Sequence, residues 1–448
     1  MKNFFGAIGE WFKKIGTTLV NIWNIPELRT KILFTLFIIL LYRVGASIPV
    51  PFIDTTAIDS LKDAYSGTMF QYLNLLSGDA FSKATLFALS ISPYITSTIV
   101  MQLLCVAIPK LEKMSQEEDG KEKLTQWTRV LTVALAIVTS IGYYVYIKNT
   151  GLILADHKDW FSAVVMIACY SAGGALIMWL AEKIDNQGIG NGISLILFAN
   201  ILAAFPAEFG QLWSCFTSWS WDILVGVAGV LLIIATITFM VFFTESERRI
   251  PVTYAKRVIG RKMYGGQNTN LPLKMNMNGV MPIIFASSIV SIPATIGTLL
   301  GKTTASKGFW GGVLRLFNYT SFLYIAIFLV LLVAFAYFYI AISFNPVEVA
   351  NNLKKNGGSV PGQRPGKPTA DFIAKILHRI TFIDACFLCI VAGVPMLITA
   401  IANACNYTAL NYLAFGGSSL LIVVGVAIET ARTIEAQMTM RHFKGFLE

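Results

Sequence analysis

The chain has 448 residues, of which 55% are hydrophobic and only 13% are charged. A soluble domain of this size carries about a quarter charged residues, so the composition excludes an ordinary globular fold and predicts an all-α protein that crosses a membrane many times. The formal net charge of +10 does not indicate a nucleic-acid partner, because the basic residues are concentrated in particular loops between apolar segments.

The first 31 residues contain no short apolar core followed by a cleavage site, so no signal peptide is predicted. Their aromatic and aliphatic residues favour an amphipathic helix at the membrane surface. A simple solvated arm fits the same pattern almost as well.

Ten apolar segments are each about as long as a helix that crosses the hydrocarbon core, which needs about 20 residues. They are 32–50, 84–107, 128–147, 161–181, 189–206, 222–243, 277–299, 321–343, 380–402 and 415–433. Because ten is an even number, both termini are expected on the same side of the membrane.

The long loops after the sixth and eighth spans, 244–276 and 344–379, carry clusters of Lys and Arg, whereas the loops after the fifth and ninth spans carry none. Positively charged loops remain in the cytoplasm. Both long loops and both termini are therefore predicted to be cytoplasmic.

Both long loops show signs of local structure. The first is expected to form a β-ribbon around Tyr254 and Tyr264, and the second a helix over 346–355 that stops at two glycines. Residues 361–366 then form a turn-rich tip. The loops are either solvated segments that obey the charge rule or docking sites for a partner with phosphates or acidic patches.

Residues 68–102 are the most unusual stretch. A short amphipathic helix over 69–76 breaks at 77–79, and a long apolar helix with Pro93 and several hydroxylic residues follows. Irregular backbone at membrane depth persists only where it faces protein or water, so the stretch could line a cavity. A surface helix followed by an ordinary span is the simpler reading, and the residues alone favour it.

The predicted spans carry almost no ionisable groups near the bilayer midplane, which argues against an ion-coupled secondary transporter. An intramembrane enzyme is also disfavoured, because no nucleophile–base pair lies in a span. The 188–192 glycines lack the strand and lysine of a phosphate loop. Cys386 and Cys389 have CxxC spacing in an apolar helix without further ligands, so no metal or cofactor is expected.

Eight ordered motifs resemble those of the SecY family, the channel subunits of the bacterial Sec translocon. They are YRVGASIPVPFID (42–54), LSGDAFSKATLFALSISPYITSTIVMQLL (76–104), GIGNGIS (188–194), YAKRVIGRKMYGGQ (254–267), LPLKMNMNGVMPIIFASSI (271–289), FNPVEVANNLKKNGG (344–358), VPGQRPG (360–366) and FGGSSLLIVV (415–424). The resemblance covers residues 29–445, and the joint order of the motifs makes it specific.

The resemblance implies ten helices in two inverted, pseudo-symmetric halves, 32–215 and 216–433, between cytoplasmic segments 1–31 and 434–448. It implies a passive channel that passes unfolded preproteins across the bacterial cytoplasmic (inner) membrane and releases transmembrane segments sideways into the lipid bilayer. Energy would come from the SecA ATPase or a translating ribosome. The other implied partners are the small subunits SecE and SecG, signal peptides and nascent membrane segments.

The resemblance also implies four groups of functional residues. A pore ring would consist of Ile91, Ile95, Ile193, Leu197, Ile284 and Ile422. A plug over about 67–77 would include Gly67, Met69, Phe70, Tyr72, Leu73, Leu76 and Ser77. A lateral gate would be lined by Thr96, Gln102, Ser287 and Ser288. Docking of SecA or the ribosome would use Arg257, Arg261, Lys262 and Arg364.

Overall fold

Helices make up most of the described chain. The computed structural model describes residues 20, 23–54, 74, 76–154, 159–217, 222–254, 257–259, 262–264, 268–299, 309–317, 321–404 and 417–444. Its helices are α1 (Pro26–Ser47), α2 (Ser92–Ala107), α3 (Pro109–Gln116), α4 (Glu118–Thr150), α5 (Trp160–Gln187), α6 (Gly192–Thr217), α7 (Asp222–Glu245), α8 (Met281–Leu299), α9 (Phe309–Leu316), α10 (Phe322–Ser343), α11 (Pro346–Lys355), α12 (Lys367–Ala404) and α13 (Gly417–Lys444).

Each of the ten predicted apolar segments overlaps one of these helices. Within the described ranges, six helices are long and apolar enough to cross a membrane, or seven if the sharply bent pair α2 and α3 is one span. α6 and α8 contain shorter apolar stretches, Gly192–Pro206 and Met281–Gly297. A mostly helical fold with several helices long and apolar enough to span a membrane is confirmed, and the count of ten spans stays a prediction.

The second predicted span was placed wrongly at its start. Turns occupy the chain from Gly78 to Ile91, and α2 begins only at Ser92. Ala84 and Ser90 have left-handed backbone, with φ of 48° and 53°, which a continuous right-handed helix does not allow. Ala84 is fully buried, so protein covers this irregular backbone, as membrane depth requires.

Two other helices begin earlier than their apolar segments. α4 starts at Glu118 and α12 at Lys367, so the first turns of both helices are polar and lie before the apolar segment. Hydropathy marks only the part of a helix that lies in lipid. The polar extensions therefore continue the helices outside the predicted spans.

The two long loops form one small sheet. β1 (Glu247–Tyr254) pairs antiparallel with β4 (Asn268–Lys274), and β5 (Gly358–Ser359), from the second loop, pairs with the other edge of β1 in the order β4-β1-β5. β2 (Arg257–Ile259) and β3 (Lys262–Tyr264) make a separate hairpin. The predicted ribbon is confirmed, and the pairing between the two loops was not anticipated.

The helix predicted over 346–355 coincides with α11. The Asn345 side chain caps it by accepting hydrogen bonds from the Val347 and Glu348 amides, and Pro346 fits the first turn. Gly357, with φ of 71°, ends it. These are local signals, which explains why the sequence located both ends.

Some predictions lie outside the described residues. They concern the N-terminal amphipathic segment up to residue 19, the plug residues Gly67, Met69, Phe70, Tyr72 and Leu73, the docking residue Arg261, and Cys405.

Candidate functional site

A small cavity lies among four helices in the core. Residues 76–91, called the turn segment because turns occupy it from Gly78 onward, contribute Leu76 to the cavity. The four helices are α2 with Ile95, α6 with Leu197, α8 with Ile284 and α13 with Ile422. Its complete lining is Leu76, Ser92, Ile95, Thr96, Leu197, Ile284, Ser287, Ser288, Ser291 and Ile422. The space available inside is about 20 Å³, enough for about one water molecule. A chain segment does not fit through it in this state.

The six residues of the predicted pore ring belong to one hydrophobic cluster. Five of them are buried, with at most 4% of the side chain exposed, and the sixth, Ile193, is partly buried and packs against the others. Four of the six line the cavity: Ile95, Leu197, Ile284 and Ile422. They come from four separate helices, so the constriction exists only when these helices are packed together.

Ile91 and Ile95 stand at the start of α2. The backbone N–H groups of Tyr94 and Ile95 both donate to the Ile91 carbonyl at 3.1 Å, so Ile91 is the residue that opens the helix. The preceding turns bring the chain back to this point instead of continuing a straight helix. The late start of α2 therefore positions Leu76 beside Ile95 in the cavity lining.

The break predicted at 77–79 is present. Gly78 and Asp79 have φ of 61° and 68°, and the Ser77 hydroxyl accepts a hydrogen bond from the Phe81 amide at 3.0 Å. One residue earlier, the Leu76 carbonyl accepts from the Ser90 hydroxyl at 3.0 Å and from the Asn200 amide at 2.8 Å. Leu76 is therefore held by its backbone while its side chain faces the cavity.

The predicted lateral gate lies where α8 packs against α2 and α4. Thr96 on α2 and Ser287 and Ser288 on α8 line the cavity together. Each hydroxyl donates to a carbonyl of its own helix: Thr96 to Ser92 at 3.0 Å, and both serines to Ile284 at 2.9 and 2.8 Å. These hydrogen bonds satisfy each hydroxyl within its own helix. The contact between α2 and α8, called the seam below, is therefore one of packing at these residues.

Gln102, the fourth predicted gate residue, lies further along α2 and outside the cavity lining. Its side-chain oxygen is buried and has no hydrogen-bond partner among the described atoms. A buried unpaired carbonyl oxygen costs free energy. Gln102 is thus a weak point in the packing around α2, at a distance from the constriction.

The predicted docking residues lie on the two loops that the small sheet joins. Arg257 is in β2 and Lys262 is in β3 of the hairpin. Arg364 is exposed on the tip of the second loop, and its carbonyl accepts from the Thr369 hydroxyl at 2.7 Å. Beneath the tip, Val360 is buried in an apolar cluster with the strands of the first loop, so the tip is anchored.

Two polar residues near the cavity were not selected from the sequence as functional. Asn200, fully buried on α6, donates to the Leu76 carbonyl. Arg43 on α1 donates to the Ala199 carbonyl on α6. The sequence could have indicated Asn200, because it is an amide within an apolar stretch of α6. A buried polar group at such a position needs hydrogen-bond partners.

The SecY family model matches residues 85–431. The chain is 41% identical over 448 residues to the protein translocase subunit SecY of Streptomyces coelicolor, with 96% of this chain and 99% of that protein covered. It is 42% identical over 438 residues to SecY of Mycobacterium bovis, with 94% and 97% covered. These similarities extend over almost the whole length of each protein.

Solved structures with the same fold are much less similar in sequence. One is a protein-conducting channel with 16% identity and a TM-score of 0.65, covering 92% of both chains. A second, a SecY channel whose plug domain stabilises the closed state, has 18% identity, a TM-score of 0.63 and 92% coverage of both. Sec61 in a canine ribosome–channel complex has 15% identity, a TM-score of 0.60 and 92% coverage of both.

Proposed function

The chain belongs to the SecY family, and from this premise we propose that it is the protein-conducting subunit of a Sec translocon in a bacterial cytoplasmic membrane. It passes unfolded preproteins across the bilayer and releases transmembrane segments sideways into the lipid. The observation that carries the proposal is the cavity of about 20 Å³ at which four aliphatic residues from four helices converge.

The chemistry of the constriction suits a substrate of arbitrary sequence. Ile95, Leu197, Ile284 and Ile422 offer no ligand to an ion, and a narrow apolar ring blocks ions by excluding water. Aliphatic side chains make no strong directional bonds, so a passing polypeptide is not retained. The same four residues therefore seal the closed channel. In the open channel they form a lining that binds the passing polypeptide only weakly.

Sideways release requires a seam between helices that parts at low cost. The contact of α8 with α2 and α4 supports this role, because the Thr96, Ser287 and Ser288 hydroxyls are already satisfied within their own helices. Parting the helices then breaks packing contacts and no hydrogen bond of these three hydroxyls. A signal peptide or an apolar nascent segment would replace those contacts.

The chain itself acts as a passive channel, and its partners supply the energy. The two basic loops are joined by the sheet β4-β1-β5 into a single platform, and the loops of this platform contain Arg257, Lys262 and Arg364. Basic residues on such a platform suit the phosphates of ribosomal RNA or the acidic surface of an ATPase such as SecA. Arg261, which follows β2 in sequence and lies outside the described residues, stays part of the same docking proposal.

The complete assembly would contain ten spans in two inverted halves, with both termini in the cytoplasm and with SecE and SecG as small partner subunits. The apolar segments and the distribution of Lys and Arg support this arrangement. The amino-terminal half would carry the plug before α2, and the hinge between the halves would follow α6.

A reconstituted translocation assay tests the function. The purified chain, together with SecE and SecG in liposomes, should move a preprotein into the lumen when SecA and ATP are added. Protection of the preprotein from added protease is the measurement. Liposomes that contain the folded complex but never protect the preprotein would exclude the proposed function.

A further inference from the structure

The carbonyl of Leu76 is held by two donors of different origin. Ser90 belongs to the same turn segment as Leu76, and its hydroxyl donates at 3.0 Å. Asn200 belongs to α6, 124 positions away in sequence, and its amide donates at 2.8 Å. Of these two hydrogen bonds, only that of Asn200 ties Leu76 to a separate helix.

Because Asn200 is buried, losing its hydrogen bond to the Leu76 carbonyl costs free energy. Asn200 and Tyr42 are fully buried, and Ser90 is 2% exposed. The Asn200 amide nitrogen also reaches the Ser90 hydroxyl at 3.4 Å, whereas the Asn200 side-chain oxygen has no partner among the described atoms. A buried amide in an apolar helix is destabilising unless it is bonded, so the donations to Leu76 and Ser90 offset its burial.

We propose that Asn200 is a latch, a positioning residue that holds Leu76 against the pore constriction and so stabilises the closed channel. This inference rests on the proposed function and deepens it, because it names the residue that ties Leu76, at the end of the predicted plug, to α6. The later part of the segment is anchored elsewhere, because the Tyr143 hydroxyl of α4 donates to the Phe81 carbonyl and the Tyr170 hydroxyl of α5 donates to the Ala84 carbonyl. When Leu76 moves away from α6, the hydrogen bond from Asn200 must break.

A neighbouring contact supports the same geometry. The Arg43 guanidinium donates to the carbonyl of Ala199, the residue just before Asn200. A side chain built at Gly78 would come within 2.9 Å of the same guanidinium. Arg43 thus fills the space between α6 and the chain that follows Leu76, and it steadies the part of α6 that carries the latch.

The test uses the assembled channel in planar bilayers without preprotein or SecA. Asn200→Ala should raise the resting ion conductance about threefold to tenfold, the factor expected when one buried hydrogen bond is lost from the closed state. Asn200→Leu keeps roughly the size of the side chain but removes the donor, and it should give a similar increase. Ser90→Ala should have a smaller effect, because Asn200 still ties Leu76 to α6.

A second readout reports the position of Leu76 itself. The six native cysteines are first replaced, and Leu76→Cys is then labelled with a membrane-impermeant maleimide added from the outer side. Asn200→Ala should raise the labelling rate by a factor similar to the rise in conductance. If Asn200→Ala does not assemble, Asn200→Leu carries the same measurement.

Asn278→Ala is the matched control. Asn278 is also a buried amide, and it donates to the Ala336 carbonyl of α10 at 3.1 Å and to the Asp384 carboxylate of α12 at 3.0 Å, so its loss should lower stability but leave resting conductance and labelling unchanged. Wild-type values for the Asn200 variants in a channel that translocates normally would overturn the latch. The two proposals can fail separately. If the wild-type complex never translocates, but Asn200→Ala still raises the labelling of Leu76→Cys, the proposed function is overturned and the latch is retained.

Discussion

Thr96 and Ser288 line the same cavity from opposite sides of the seam between α2 and α8, yet each hydroxyl bonds within its own helix. Thr96 donates to the Ser92 carbonyl at 3.0 Å, and Ser288 donates to the Ile284 carbonyl at 2.8 Å. The seam between the two helices is therefore held by packing at this level. Close packing without directional bonds is what a gate needs if an apolar segment is to part it.

A disulfide across this seam should block transport. We expect Thr96→Cys combined with Ser288→Cys to crosslink on oxidation and to stop both translocation and membrane insertion, because α2 and α8 can then no longer separate. Protease protection of a preprotein, before and after reduction, measures the effect. Full transport through a completely crosslinked channel would place the gate elsewhere.

A second disulfide serves as the control. The Ser97 and Thr132 hydroxyls are 2.5 Å apart and join α2 to α4, which both lie on the same side of the proposed gate. Ser97→Cys with Thr132→Cys should crosslink equally well and leave transport intact. The comparison separates an effect of gate closure from a general effect of crosslinking α2.

Polar substitution in the constriction should make the closed channel leak. Ile95→Asn places an amide in the cavity lining, where it attracts water and weakens the apolar barrier to ions, so resting conductance should rise severalfold. Ile99→Asn is the matched control, because Ile99 is equally buried one turn further along α2 but does not line the cavity. Equal leaks from the two variants would show that disturbed packing, rather than the constriction, is responsible.

Charge reversal at the tip of the second cytoplasmic loop should weaken docking. Arg364 is exposed on an anchored tip, so Arg364→Glu should alter the surface charge with little change in folding and lower SecA-driven translocation by about an order of magnitude. Lys148→Glu makes the same charge change at an exposed position at the end of α4 that is predicted to face away from the cytoplasm. The rate of ATP-dependent translocation should fall only for the Arg364 variant, and parallel losses would contradict the docking role.

The buried pair of Asp384 and Asn278 should matter for stability. The Asn278 amide donates to the Asp384 carboxylate at 3.0 Å and to the Ala336 carbonyl at 3.1 Å, which joins the start of α8 to α10 and α12. Asp384→Ala removes an acceptor from a buried donor and should lower the free energy of unfolding by about 1–3 kcal/mol. Thermal unfolding in detergent measures the loss.

Asp384→Asn is the conservative comparison for this pair. Its side-chain oxygen can still accept from Asn278, so it should lose less stability than Asp384→Ala. Identical losses for the two substitutions would show that packing at residue 384, and not its hydrogen bond, stabilises the three helices.

Local signals in the sequence predicted a large part of this protein. Apolar runs of about 20 residues located a helix in every predicted span, because helices in lipid must satisfy their own backbone groups. The glycines after Lys355 located the end of α11. The motifs then identified the family, and with it the residues assigned to the pore ring.

Only the tertiary structure decided where α2 begins and what lies around the cavity. Hydropathy is averaged along the chain, so it could not detect the left-handed residues Ala84 and Ser90, which interrupt an apolar stretch without changing its composition. The bond between Asn200 and Leu76 and the pairing of β1 with β5 join residues more than a hundred positions apart. Such contacts depend on how helices and loops pack in space, which local sequence patterns do not encode.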